Sequence, residues 1–265
     1  MSRICLVSHP RSGSTSLLRT LTKKAEISAT YEMFHMNEDV VVEHLKHALS
    51  DESIEIIKEK SAELGFDSLK EFYQIDSLKY LDLVHSLIEG SDFIFKIFPY
   101  HIKSEKNLKK LVSSCDFVIF LSRNSLHSCI SNQVAQKVGT YANVDTSGVE
   151  VDFDEKEFKR WHNHIYDFFL QVKSASSVEK TRTLDETYEQ IYLSDSLEGN
   201  VSRIATFAKL RTREESINIP LLKKQDKRRL ASEKVSNPKA LLNFLDKIEL
   251  PKLDEVTSSM PLRKI

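Results

Sequence analysis

The chain has 265 residues, long enough for one sizeable α/β core, and nothing in it demands a second domain. Its 38 basic and 39 acidic residues leave a formal net charge of -1. That balance argues against nucleic-acid or membrane-surface partners and makes any anion site a local one. The three cysteines, Cys5, Cys115 and Cys129, lack CxxC spacing and read as reduced core thiols, while no apolar run approaches the ~18 residues of a membrane span. With no signal segment ahead of the first strand, a soluble, cytoplasmic protein is expected.

The stretch from Ile4 to Lys24, ICLVSHPRSGSTSLLRTLTKK, predicts a strand, a tight loop and a helix. Ile4 to Val7 is apolar, and Leu17, Leu18 and Leu21 share one helical face. Between them Pro10 fixes one backbone angle and Gly13 permits a positive one. The hydroxyls of Ser12, Ser14, Thr15 and Ser16 fall where the first amides of a helix have no internal partner. Such a turn favours a phosphate or sulfate through its N–H groups and the helix dipole, and Arg11 adds a fork of donors. It departs from GxxxxGK[ST] because Ser14 stands where the triphosphate lysine would be. A single terminal phosphate or phosphosulfate therefore suits it better than a magnesium triphosphate. The competing interpretation is a serine-rich helix start with no ligand.

Pro10-Arg11-Ser12-Gly13-Ser14-Thr15 resembles the 5′-phosphosulfate loop of sulfotransferases that use 3′-phosphoadenosine 5′-phosphosulfate (PAPS). The resemblance implies a P-loop-like three-layer α/β sandwich with a central parallel sheet flanked by helices. It also implies PAPS as co-substrate, PAP as product, a hydroxyl-bearing acceptor, and Arg11, Ser12, Gly13, Ser14, Thr15 and Ser16 at the phosphosulfate. No metal is implied, since neither a triphosphate lysine nor an acidic magnesium cluster is visible.

Ile27 to Tyr31 predicts a short strand, so Glu32 follows at a carboxyl end, where open parallel sheets bind ligands. A carboxylate beside an anion loop opposes donor binding, which suggests that it serves instead to accept the proton of an attacking hydroxyl. Carbohydrate sulfotransferases have a similar glutamate after the second strand, and the resemblance carries that role to Glu32, with His35 as the local alternative and a solvated loop acid as the other. Residues 37–90 are helical in pattern and too long for an ordinary crossover, which predicts an inserted helical lobe within a single domain over 1–265. His44 and His47 show no third metal ligand nearby in sequence.

Ser91 to Phe98 predicts a buried strand interrupted by Lys96, whose ammonium must reach an anion or water. In cytosolic sulfotransferases a comparable strand carries a lysine and, two residues later, the base histidine. Here that second position is Phe98, which shifts weight to Glu32, with His101 a further candidate base and Lys96 a candidate for the bridging or sulfuryl oxygens.

Phe117 to Leu121 predicts a second buried strand, with Arg123 at its exit and a helix from near Ser125 whose inward face is Leu126, Cys129, Ile130 and Val134. Arg123 and Ser131, eight apart across a strand-to-helix junction, can meet one phosphate. Sulfotransferases show this pairing at the 3′-phosphate of PAPS. The stretch 140–154 lacks periodicity and predicts a mobile loop, and Phe158 to Val172 predicts a helix. Thr181 to Tyr192 resembles the late strand and Tyr-Glu element of sulfotransferases, and Val201 to Leu210 predicts a helix. Lys223, Lys224, Lys227, Arg228 and Arg229 read as a solvated basic face, and residues 251–265 as a poorly ordered end. The acceptor leans toward a carbohydrate or glycolipid hydroxyl. The competing functions are a P-loop kinase or nucleotidase using Mg-ATP and a non-catalytic PAP-binding protein.

Overall fold

The computed structural model describes residues 1–88, 90–140, 144–178, 181–193, 197–213, 228–255, 258 and 263–265. Its first half runs β1 (Arg3–Val7), α1 (Ser14–Lys24), β2 (Ile27–Thr30), α2 (Glu38–Leu45), α3 (Asp51–Glu63), α4 (Leu69–Ile75), α5 (Ser77–Ser86) and β3 (Asp92–Ile97). It continues through α6 (Glu105–Ser113), β4 (Phe117–Ser122), α7 (Ser125–Val138), α8 (Glu155–Val178), β5 (Arg182–Thr187), α9 (Tyr188–Tyr192), α10 (Leu197–Phe207) and α11 (Pro238–Lys247). Short 3-10 turns occupy Ser232–Lys234 and Pro251–Asp254.

The five strands form one parallel sheet in the order β2-β3-β1-β4-β5. Its three inner strands read as apolar runs, broken within β3 by Lys96, because helices cover both faces. Cys5, Val7, Phe93, Phe95, Val118 and Phe120 pack with apolar residues of α2 to α6 and α8. The alternate residues Ile4, Leu6, Ile94, Phe117, Ile119 and Leu121 pack with Leu17, Leu18 and Leu21 of α1 and with Val201, Ile204 and Ala205 of α10. The result is the expected α/β sandwich of three layers, with α7 and α11 sharing a further cluster through Leu126, Ile130, Leu241 and Phe244.

The helical stretch expected over 37–90 is four helices, each started by a side chain that accepts an orphan amide: Asn37, Ser50, Ser68 and Asp76. Their buried residues, Val41, Leu45, Ile54, Phe72 and Tyr80 among them, belong to the same core as the sheet face.

Two expectations are corrected. The stretch 144–154 has no helix or ladder strand, but it is pinned rather than loose: Val151 and Phe153 are buried, the Val151 amide donates to the Lys234 carbonyl at 3.2 Å, and the Phe153 amide donates to Asn237 Oδ1 at 2.8 Å. Residues 141–143 lie outside the described residues. The last stretch is likewise anchored at its described residues, while 256–257 and 259–262 lie outside them. Leu253 and Asp254 are buried, and Asn163 exchanges two 3.0 Å hydrogen bonds with the backbone of Ile265. In both places a few apolar or amide-bonding residues within a polar segment supply the anchor, a pattern with no period to detect.

Candidate active site

The parallel register brings Val7, Ile97 and Phe120 level, so the segments after β1, β3 and β4 leave the sheet side by side. After β1, Ser8 still donates its amide to the Ile97 carbonyl at 3.1 Å, and the chain then turns sharply. Arg11 and Gly13 both take left-handed backbone, with φ of 65° and 83°. For Arg11 this costs about 1–2 kcal/mol, a strain that its surroundings must offset. The turn sets the amides of Ser14, Thr15 and Ser16 at the head of α1, where no carbonyl lies one turn earlier to take them. A Cβ on Gly13 would lie 2.8 Å from Tyr188 Cδ2 and 2.9 Å from Tyr192 Cε2, and the Tyr192 hydroxyl donates to the Gly13 carbonyl at 3.0 Å. The loop is thus roofed by α9.

The two basic residues singled out from separate motifs meet. Arg123 Nη1 donates to the Arg11 carbonyl at 2.5 Å, and its guanidinium lies 4.3 Å from the centroid of the Tyr188 ring. Arg11 Nε donates to Ser131 Oγ at 3.1 Å. Arg123 is held from behind by its neighbour Asn124. The Asn124 side chain caps α7 at the amides of Leu126 and His127 and donates to the carbonyls of Leu253 and Glu255, both at 3.0 Å. Its own amide donates to Glu189 Oε1 at 3.1 Å, and burial pushes the Glu189 carboxyl up from its ordinary pKa. Ser8 Oγ, Ser12 Oγ and Arg123 Nε are buried without a hydrogen-bond partner among the described residues.

The third group stands beside the loop. Lys96 is 1 % exposed within β3, and its Nζ reaches both Thr15 Oγ1 and Glu32 Oε1 at 2.9 Å. The lysine that looked anomalous in an apolar strand therefore meets the carboxylate rather than snorkelling out. Burial lowers the Lys96 pKa despite the opposing pull of Glu32. Burial alone would raise Glu32, but the charge and hydrogen bond of Lys96 outweigh it and hold the carboxyl below its ordinary range. The two shifts share a sign because Lys96 is the more deeply buried partner and its desolvation dominates. His101 Nε2 lies 4.0 Å from Glu32 Oε2, and burial drives the His101 pKa down to about 3. The His35 ring is 6.4 Å from that of His101, and its Nδ1 accepts the Asn37 amide at 3.1 Å. His44 and His47 instead stack on each other and edge onto Tyr31.

Every candidate from the sequence thus falls at the carboxyl edge of β1 to β4: the Arg11 to Ser16 turn, Glu32, His35, Lys96, His101, Arg123 and Ser131. Sequence reading overlooked Asn124, Tyr188, Glu189 and Tyr192. The Thr187-x-x-Gln190 capping box was a legible sign that the late strand ends at Thr187 and a helix turn begins at Tyr188, but not that this turn covers the loop. Of the basic tail, Arg228 donates to the carbonyls of Thr146, Val149 and Glu233, while Lys223, Lys224 and Lys227 lie outside the described residues.

A parallel α/β sheet whose first strand leads through an amide-rich turn into a helix, with arginines converging on that turn, defines a protein of the phosphate-loop class without the triphosphate lysine. A sulfotransferase family model matches residues 3–214, and the chain belongs to the sulfotransferase family. No curated protein sequence matches it. Among solved structures, a sulfotransferase from Alicyclobacillus acidocaldarius aligns over 96% of this chain and 95% of its own, at 11% identity and a TM-score of 0.48.

Proposed function

We propose that this protein transfers a sulfuryl group from PAPS to a hydroxyl of a carbohydrate or glycolipid acceptor, with Glu32 as the proton acceptor. One observation carries the proposal: the turn after β1, the Arg123–Ser131 junction and the Lys96–Glu32 pair, drawn from three distant parts of the chain, are in direct contact along one edge. The buried, unpartnered Ser8 Oγ, Ser12 Oγ and Arg123 Nε fit a ligand rich in anionic oxygens. The missing triphosphate lysine, with Ser14 in its position, favours a phosphosulfate over a triphosphate.

When bound, PAPS supplies an activated sulfuryl group. Arg11 and the amides and hydroxyls of Ser12 to Ser16 stabilise the charge that grows on the 5′-phosphate side as the S–O bond breaks. Arg123 and Ser131 hold the 3′-phosphate and so separate PAPS from ATP-like nucleotides. Glu32 receives the acceptor proton while the new S–O bond forms. A carboxylate held below its ordinary pKa is too weak to ionise an alcohol in advance, so the two events must run together. Lys96, shared between Thr15 and Glu32, is the cation next to that exchange; shifting its ammonium toward the leaving side would strengthen Glu32 as a base when the proton moves. The carbohydrate preference rests on the glutamate after β2 and on Phe98 where cytosolic sulfotransferases have a histidine.

A thermal-shift comparison tests the donor. PAP without metal is expected to raise the unfolding temperature, and stabilisation by Mg-ATP alone would defeat the proposal. Radiolabelled PAPS against a panel of sugars, glycolipids, tyrosine peptides and small alcohols then identifies the acceptor.

A further inference from the structure

We propose that His101 is a fixed hydrogen-bond donor that orients the second carboxylate oxygen of Glu32, a positioning residue rather than an alternative base. This deepens the proposed role of Glu32 and rests on it, but the tautomer behind it does not.

The turn after β3 holds the imidazole by several contacts. The His101 amide donates to the Phe98 carbonyl at 3.1 Å, and its own carbonyl accepts from Gln74 Nε2 at 2.6 Å. The ring lies between Phe98 and Tyr100, with centroids 5.0 and 4.9 Å away. Within this turn the Phe98 amide donates to His101 Nδ1 at 3.3 Å. A backbone N–H can only donate, so Nδ1 must present its lone pair. A neutral imidazole then carries its one proton on Nε2.

The remaining possibility, an imidazolium, would set an Nδ1 proton against the Phe98 amide proton. It would also add a second cation to a fully buried spot that already holds the Lys96 ammonium. The groups facing the ring are Glu32 after β2, Lys96 of β3, and His35 and His44 on the way into and along α2. Glu32 is the acid among them, and burial outweighs its pull.

Nε2 is buried and has no hydrogen-bond partner among the described residues, yet it lies 4.0 Å from Glu32 Oε2. The other oxygen of that carboxylate is taken by Lys96. The Glu32 side chain retains 20% exposure, so a modest rotation closes the gap, as catalytic hydrogen bonds commonly do when a complex forms. Lys96 and His101 then grip one carboxylate from two sides and leave its remaining lone pairs for the acceptor hydroxyl. His101 has no lone pair left for a substrate hydroxyl, because Phe98 occupies it.

Nitrogen-15 NMR of the protein with labelled histidine tests this without any acceptor. The His101 resonances, assigned by their loss in His101→Gln, are expected to show a neutral Nε2–H ring from pH 5 to 8. The Nε2–H signal is expected to move in Glu32→Gln. An Nδ1–H tautomer, an imidazolium in that range, or a signal indifferent to Glu32→Gln would overturn the proposal. In turnover, His101→Phe should lower kcat about tenfold to a hundredfold, the range of a charge-assisted hydrogen bond, with KM for PAPS unchanged. His101→Gln, which keeps a terminal N–H, should recover part of that loss. His101→Phe turning over like the wild type, or a lost turnover in His101→Phe beside an active Glu32→Gln, would refute it. Absence of sulfuryl transfer from the unaltered protein would count against the proposed function and leave the NMR result to decide the role of His101.

Discussion

Replacing Gly13 by alanine separates two costs that the loop combines. The first is backbone: φ of 83° lies in the left-handed region, where a Cβ costs about 1–2 kcal/mol. The second is crowding, because that Cβ would lie 2.8 Å from Tyr188 and 2.9 Å from Tyr192, inside any real contact distance. Overpacking of this kind costs about 1–3 kcal/mol. Gly65 supplies the control, since it shares the φ of 83° but has nothing within 4 Å of its would-be Cβ. Gly65→Ala should therefore lower stability by about 1–2 kcal/mol and Gly13→Ala by about 2–5 kcal/mol. At roughly 2 °C per kcal/mol for a chain of this size, calorimetry should find Gly13→Ala melting about 2–6 °C below Gly65→Ala. Titration with PAP should show weakened binding in Gly13→Ala alone. Equal melting temperatures for the two variants would mean that α9 does not brace the loop.

Glu32→Gln should keep PAP affinity and lose turnover; full turnover in a radiolabelled-PAPS assay would remove Glu32 as the base. Arg123→Ala should weaken PAP far more than adenosine 5′-phosphosulfate in calorimetric titrations, and equal losses would contradict a 3′-phosphate role. Asn124→Ala removes a helix cap and two donations to the 253–255 backbone, so stability should fall by about 2–4 kcal/mol, with faster amide exchange at residues 251–255. Unchanged exchange there would show that the clasp is not held by Asn124. Burial holds His9 near a pKa of about 4 and His101 near about 3, both below the ordinary 6.5, so the unfolded chain binds these protons first. Stability should then fall as pH drops below 6.5 toward 4, by about 1.4 kcal/mol per unit for each histidine. Urea midpoints that stay level over that window would refute the buried neutral state.

The inner strands were legible because helices on both faces favour long apolar runs, with Lys96 as the exception, a signal that survives without an alignment. The loop was legible because Pro10, Gly13 and the hydroxyl run have few uses together besides a turn into a helix. Lys96 was legible as a problem, and Glu32 proved to be its solution, although no spacing rule links residues 32 and 96. What stayed hidden depends on packing at long range. Tyr188 and Tyr192 look like ordinary aromatic scaffold until α9 is folded against Gly13, and Asn124 looks like a cap with no hint that it also grips the 253–255 backbone. Arg11 was expected to contribute its side chain, but its positive φ was not foreseen, since a non-glycine residue gives no warning that tertiary contacts will hold it there.

The roof over the turn after β1 has a consequence for how the chain is made. Tyr192 and Gly13 are 179 residues apart, so at ~5–20 residues per second a ribosome has emitted the turn roughly 10–40 s before its cover exists. Through that interval Gly13 lacks the aromatic wall that packs against its backbone. On the proposed function the turn holds nucleotide only once α9 covers it, which predicts that a chain stopped before Thr187 shows no protection by PAP against proteolysis.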